Sequence, residues 1–125
     1  MSNILLVAAG GAVGSVLRYL TGVLALRLVG PGFPWGTLAV NIVGSYLIGC
    51  VAEALVRGVS APLDLRLLLM TGLIGGFTTF SAFSLDLWVL YERGAVTEAM
   101  LYFTATVVLS LLATGAGLLT VRLVS

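Results

Sequence analysis

The chain has 125 residues, 60% of them hydrophobic and 9% charged, with a formal net charge of +1, no histidine and a single cysteine. A soluble domain carries about 25% charged residues, so a surface this poor in charge calls for lipid rather than water around it. The balance leaves no electrostatic case for nucleic acid or an acidic protein partner, no intrachain disulfide for Cys50, and no histidine-based catalytic centre.

A bilayer core takes roughly 20 apolar residues per helix, and hydropathy predicts four such spans in one domain, residues 1–125. The first runs from Ile4 to Leu28. No Lys or Arg precedes it and it is too long for a cleavable leader, so it is expected to stay as a helix. Gly10 and Gly14 form a GxxxG pair there, and Gly11, Gly14 and Arg18 share a face. After a Gly-Pro turn at residues 30–34, the second span runs from Thr37 to Val56, with Thr37, Asn41 and Ser45 recurring every four residues and Gly49 continuing the line. Cys50 is expected to be a small buried hydrophobe in this span.

A second turn at residues 57–62 leads to the third span, Leu65 to Leu90. Glu92, Arg93 and Gly94 begin the last connection, and the fourth span runs from Ala99 to Val121. There Tyr102, Thr106, Ser110 and Thr114 form a stripe at i+4 spacing. A lone hydroxyl can satisfy itself on the carbonyl four residues back. Four in register predict the lining of a polar path.

With four spans, both termini and the second turn share one side of the membrane, carrying Arg57, Arg66 and Arg122. The other side carries Arg27 and Arg93. Positive charge normally fixes orientation, and here the bias is negligible. Either few charges set one orientation weakly, or the chain inserts both ways and pairs as an antiparallel dimer.

The third span holds the least ordinary segment, Gly72-Leu73-Ile74-Gly75-Gly76-Phe77-Thr78-Thr79-Phe80-Ser81-Ala82-Phe83-Ser84. Glycines at 72, 75 and 76 followed by Thr78 and Thr79 weaken a helix, which predicts a broken third helix. Broken backbone at membrane depth is tolerated where protein or a cavity covers it, and its freed carbonyls suit a hard monovalent cation. Phe80 and Phe83 lie three apart beside Ser81 and Ser84. Aromatic rings have electropositive edges, able to attract an anion without trapping it.

The polar inventory points the same way. It offers hydroxyl and amide donors and one guanidinium, Arg18, with no acid at a helix centre; Glu53 and Asp86 lie nearer helix ends, where they are expected to reach interfacial water. Cation pores prefer carboxylates or carbonyls and proton-coupled exporters need a titratable group, so a donor-rich, acid-poor lining suits an anion. Arg18 either gathers anions at a pore mouth or snorkels and caps helix carbonyls.

Three motifs, residues 10–19 (GGAVGSVLRY), 36–45 (GTLAVNIVGS) and 75–84 (GGFTTFSAFS), occur in order on three different spans. In them the chain resembles the CrcB/Fluc family of fluoride channels over almost its whole length. The resemblance implies an all-α membrane protein, an antiparallel dual-topology homodimer in the cell's inner or plasma membrane, with two fluoride pores and a central structural sodium ion. Carried over by position, the Gly75 and Thr78 carbonyls hold sodium, Phe80 and Phe83 turn ring edges to fluoride, and Asn41 orients that region and donates to the ion. Tyr102, Thr106 and Ser110 form the hydroxyl track, with Ser81 and Arg18 also assigned to the fluoride path. Ala82 stands where the family commonly has Thr, and Thr106 replaces Ser but keeps the donor. The implied activity is passive fluoride efflux, which relieves fluoride toxicity. The rival reading, a small dual-topology multidrug-type exporter, would carry an acid in the first span, where this chain has Arg18.

Overall fold

A computed structural model describes residues 2–125. Among them, four helical segments are long and apolar enough to cross a membrane: Ser2–Val29, Trp35–Val56, Leu63–Glu92 and Val96–Val124. The predicted spans are correct in number and order, and each helix extends a few residues beyond its apolar run.

The turns explain where the helices stop. Gly58 has φ +93, its N–H donating to Leu55 O, while Val59 N–H donates to Ala54 O. Gly94, at φ +80, repeats the pattern with Tyr91 O and Leu90 O. A left-handed glycine after the last turn lets two following N–H groups satisfy the orphan carbonyls of the helix end, and a Cβ would disfavour it. Short turns make consecutive helices antiparallel, so the second and fourth run parallel.

The third span changes partner along its length. Its first half comprises Leu63–Arg66, a π-helical run Leu67–Ile74, and Gly75–Phe77. Thr78 and Thr79 then take extended conformations, with ψ of 158° and 124°, before the helix resumes as Phe80–Glu92. The first half packs along the first helix and the second half against the fourth. A straight helix could not serve both neighbours.

The break is real, but it lies at the threonines and not at the glycines. Gly72, Gly75 and Gly76 are all helical, and two of them serve close packing. A Cβ at Gly72 would stand 2.9 Å from Gly10 Cα, and one at Gly76 would stand 2.7 Å from Gly11 O. The GxxxG pairs of the first and third spans therefore meet backbone to backbone, as small residues do in lipid. The second and fourth helices interlock in the same way, Gly49 against Thr114 and Gly117 against Tyr46 and Cys50.

The buried core is small. Leu38, Phe83, Leu90, Ala99 and Tyr102 cluster near the first and third turns, with Phe33 packed on them. Leu, Val and Ile side chains cover most of the outer surface, which suits hydrocarbon and would be untenable in water. Cys50 is half-buried rather than buried.

One charge expectation is corrected. Glu53 does not reach interfacial water: it is only 5% exposed and accepts from Arg57 Nε at 3.0 Å and Arg122 Nε at 3.0 Å. A carboxylate leaves water where charged donors replace it, and here two arginines at adjacent helix ends do so. Asp86 is half-buried and accepts from Tyr102 Oη at 3.1 Å.

Candidate functional site

The chemistry gathers at the break. Extended backbone at Thr78–Thr79 takes several main-chain groups out of the helical ladder, and their new partners are specific. Thr79 N–H donates to Asn41 Oδ1 at 2.8 Å while Asn41 Nδ2 donates to Thr79 O at 3.0 Å. Thr79 Oγ1 accepts from Ala82 N–H at 3.1 Å and so caps the resumed helix. Arg18 Nε donates to Gly76 O at 3.2 Å, and Thr78 Oγ1 donates to Ile74 O at 3.1 Å.

Gly75 O and Thr78 O are among the carbonyls that lose their helical donors in this exchange, as is Gly76 O, which Arg18 takes up. In an unbroken helix Thr79 N–H would serve Gly75 O, and Ala82 N–H would serve Thr78 O. The first donates to Asn41 and the second to the Thr79 hydroxyl. Among the described residues no three His, Cys, Asp or Glu side chains are grouped to hold a metal, so a cation would have to use carbonyls. Hard cations take oxygen ligands, and Gly75 O and Thr78 O are of the right kind, but two carbonyls of one chain are too few to complete a shell.

Beside the break lies a cavity of about 530 Å³ open to the outer face of the chain, lined by Asn41 and Ser45 of the second helix and by Thr106 and Ser110 of the fourth. Gly75, Thr78 and Thr79 form its floor, and Phe80 and Phe83 stand at its edge. The two rings meet edge to face at a centroid distance of 5.6 Å. Phe83 is 4% exposed and also packs on Tyr102, at 5.1 Å, whereas Phe80 is 78% exposed.

The hydroxyls divide into two kinds. Thr21, Ser84, Thr114 and Thr120 each donate to the carbonyl four residues back. Thr106 Oγ1 and Ser110 Oγ are buried and have no hydrogen-bond partner within the chain. Buried hydroxyls are normally satisfied, and these two border the cavity.

The structure thus brings together Asn41, Phe80, Phe83, Thr106, Ser110, Gly75 and Thr78 of the predicted residues. It sets three apart. Tyr102 is fully buried beside the cavity, its hydroxyl bonded to Asp86. Ser81 is exposed, its Oγ 3.3 Å from Thr79 Oγ1. Arg18 lines a separate hollow with Ala82, Thr37 and Gly36, so of its two predicted roles the observed contact is carbonyl capping. The methyl of Ala82 faces that hollow too, and a hydroxyl missing there is missing from Arg18's surroundings.

Sequence reasoning singled out Thr79 only as a helix breaker and Ser45 only as part of a stripe. Both belong to the site. The i+4 step from Asn41 to Ser45 was the available signal for one; for the other, nothing in the sequence foretold which backbone groups Asn41 would hold.

Fold and site together define a multi-pass membrane protein with a polar groove at an interrupted helix. The family model described as CrcB-like protein, Camphor Resistance (CrcB), matches residues 5–118. The chain is 58% identical over 118 residues, 94% of each protein, to a fluoride-specific ion channel FluC of Agrobacterium fabrum. It is 58% identical over 122 residues, 98% of each, to the protein of that name from Rhizobium etli, and 53% identical over 122 residues to that of Rhizobium meliloti. The chain belongs to the CrcB family, whose named relatives are ion channels and not enzymes.

Proposed function

We propose that the protein is a fluoride-selective channel that lets fluoride leave the cytoplasm passively across the inner or plasma membrane. The observation that carries the reading is the pair of unpartnered buried hydroxyls, Thr106 and Ser110, bordering the same cavity as Asn41, Phe80 and Phe83. Fluoride is small and strongly hydrated, so a path must offer donors in place of its water. Hydroxyls and ring edges supply them without a fixed charge that would hold the ion. No carboxylate borders this cavity, and Glu53 is engaged by two arginines. That weighs against a proton-coupled multidrug exporter, which needs an exposed titratable group.

The functional unit is an antiparallel dual-topology homodimer with two pores. A groove carrying freed carbonyls and bare hydroxyls cannot open onto hydrocarbon, where each unsatisfied group costs several kcal/mol. A second copy covers it, and the exposed Phe80 ring lies at that edge. The near balance of arginines between the two sides permits both orientations. Gly75 O and Thr78 O from each protomer then complete a sodium site at the dimer centre. When bound, sodium supplies fixed positive charge and ties the two breaks together; Asn41, Thr79 and Arg18 hold the main chain in position for it.

Fluoride efflux from liposomes containing the purified protein, read with a fluoride electrode, tests the reading. Rapid release of fluoride with chloride retained is expected. Absence of release in sodium-containing buffer, from protein shown to be dimeric, would overturn it. Exchanging sodium for a large organic cation should slow efflux.

A further inference from the structure

We infer that Ser45 is a fluoride-binding residue, pairing with Ser110 to form a two-hydroxyl station one helical turn beyond Asn41. This rests on the channel reading above and adds to it a donor on the second helix.

The register of the two parallel helices places the pair. Thr114 Oγ1 lies within hydrogen-bond reach of Ser45 O at 3.1 Å and of Ser110 O at 3.2 Å, its single hydrogen serving either or shared between them. One hydroxyl that reaches both carbonyls holds their oxygens within about 6 Å of each other. Ser45 and Ser110 therefore stand at one level, and both border the cavity. Four residues back along each parallel helix stand Asn41 and Thr106, which form the neighbouring level. The groove between the second and fourth helices is thus a ladder with two rungs.

The rungs differ in what they can give. Asn41 has committed its carbonyl oxygen and one amide N–H to Thr79, so its capacity toward an ion is reduced to the second amide hydrogen. Ser45 holds the fourth helix through its main-chain carbonyl, which leaves the side chain out of that contact. Ser110 Oγ is buried without a partner. A hydroxyl donates a single hydrogen, so Ser110 alone would strip fluoride of water and return one bond. Ser45 supplies the second from the neighbouring helix.

The same arrangement keeps the ion mobile. Both donors are neutral hydroxyls with no fixed charge to hold the ion, so it can move on. Gly49 and Gly117 bring the two helices close just beyond this level, which keeps the rung narrow.

The test is fluoride efflux from liposomes at several fluoride concentrations, with wild type, Ser45→Ala, Ser45→Thr, Ser110→Ala and the double alanine variant. Ser45→Ala should raise the half-saturating fluoride concentration and lower flux on the order of tenfold, the scale of one hydrogen bond to a charged group. Ser45→Thr should retain most of the flux, and the double variant should fall little below either single one, because both remove the same station. A packing defect alone would lower flux at every concentration and leave half-saturation where it was. If Ser45→Ala fails to assemble, Ser45→Cys keeps the size with only a weak donor and carries the same expectation. Wild-type half-saturation and flux in Ser45→Ala or Ser45→Cys, while the wild-type protein conducts, would overturn the station and leave the channel reading standing. A silent wild type would overturn the channel reading itself.

Discussion

Asn41 and Thr79 form a closed pair: the amide of one side chain meets both main-chain polar groups of the other residue, at 2.8 and 3.0 Å. The pair replaces the helical hydrogen bonds that the break removes. Asn41→Asp keeps the acceptor but turns the donor into a second carboxylate oxygen facing Thr79 O. Asn41→Ala removes both. Each should destabilise the protein by about 1–3 kcal/mol, the cost of leaving buried polar groups unpaired, and each should abolish fluoride flux. Thermal unfolding in detergent alongside liposome efflux measures the two effects; wild-type behaviour of Asn41→Asp would show that the clamp does not hold the break.

The two phenylalanines differ in burial, so their variants should separate stability from conduction. Phe80 is 78% exposed on the single chain and Phe83 is 4% exposed. Phe80→Ile should reduce flux strongly with little effect on the unfolding of the protomer. Phe83→Ile should reduce flux and also cost about 1 kcal/mol or more of stability, since it loses ring contacts with Phe80 and Tyr102. Unaltered flux in both would remove the ring-edge account.

Glycines of the first and third spans act as spacers. A Cβ at Gly14 would lie 2.8 Å from Phe77 N, hard against main chain that cannot move aside as a side chain could. Gly14→Ala should therefore force the first helix away from the break and loosen the hold of Arg18 on Gly76 O. Loss of the proposed dimer in size-exclusion chromatography, or loss of flux with that assembly intact, is expected. Gly22→Ala on the same helix meets nothing within 4 Å, yet a Cβ on Gly36 would stand 2.8 Å from Gly22 Cα, so Gly115→Ala, also in open space, is the cleaner control and should assemble normally.

Spans, turns and the polar stripe were legible because they are local: apolar length, Gly-Pro turns and i+4 spacing need no partner. The break was legible and its end at Phe80 correct, but it is narrower than the predicted stretch: close packing on the first helix keeps Gly72, Gly75 and Gly76 helical, and the chain opens only at Thr78–Thr79. Of the site, Thr106 and Ser110 were recoverable from spacing alone. The Arg18 contact with Gly76 O and the burial of Glu53 were not, because both depend on which helices become neighbours, and periodicity within one helix does not contain that information.

Tyr102 tests how far the hydroxyl stripe extends as a conducting path. Its ring packs on Phe83 while its hydroxyl donates to Asp86 rather than toward the cavity. Tyr102→Phe and Asp86→Asn disturb the same hydrogen bond, so on this geometry their effects on flux should be similar and the double variant no worse than the poorer single. Tyr102→Ala should cost more than either, because it removes the support behind the Phe83 ring and leaves a cavity worth about 3–5 kcal/mol. A track that used the Tyr102 hydroxyl directly would give another pattern: Tyr102→Phe would slow efflux while Asp86→Asn would not, and the two losses would combine. Efflux rates for the four proteins under one fluoride gradient distinguish these cases.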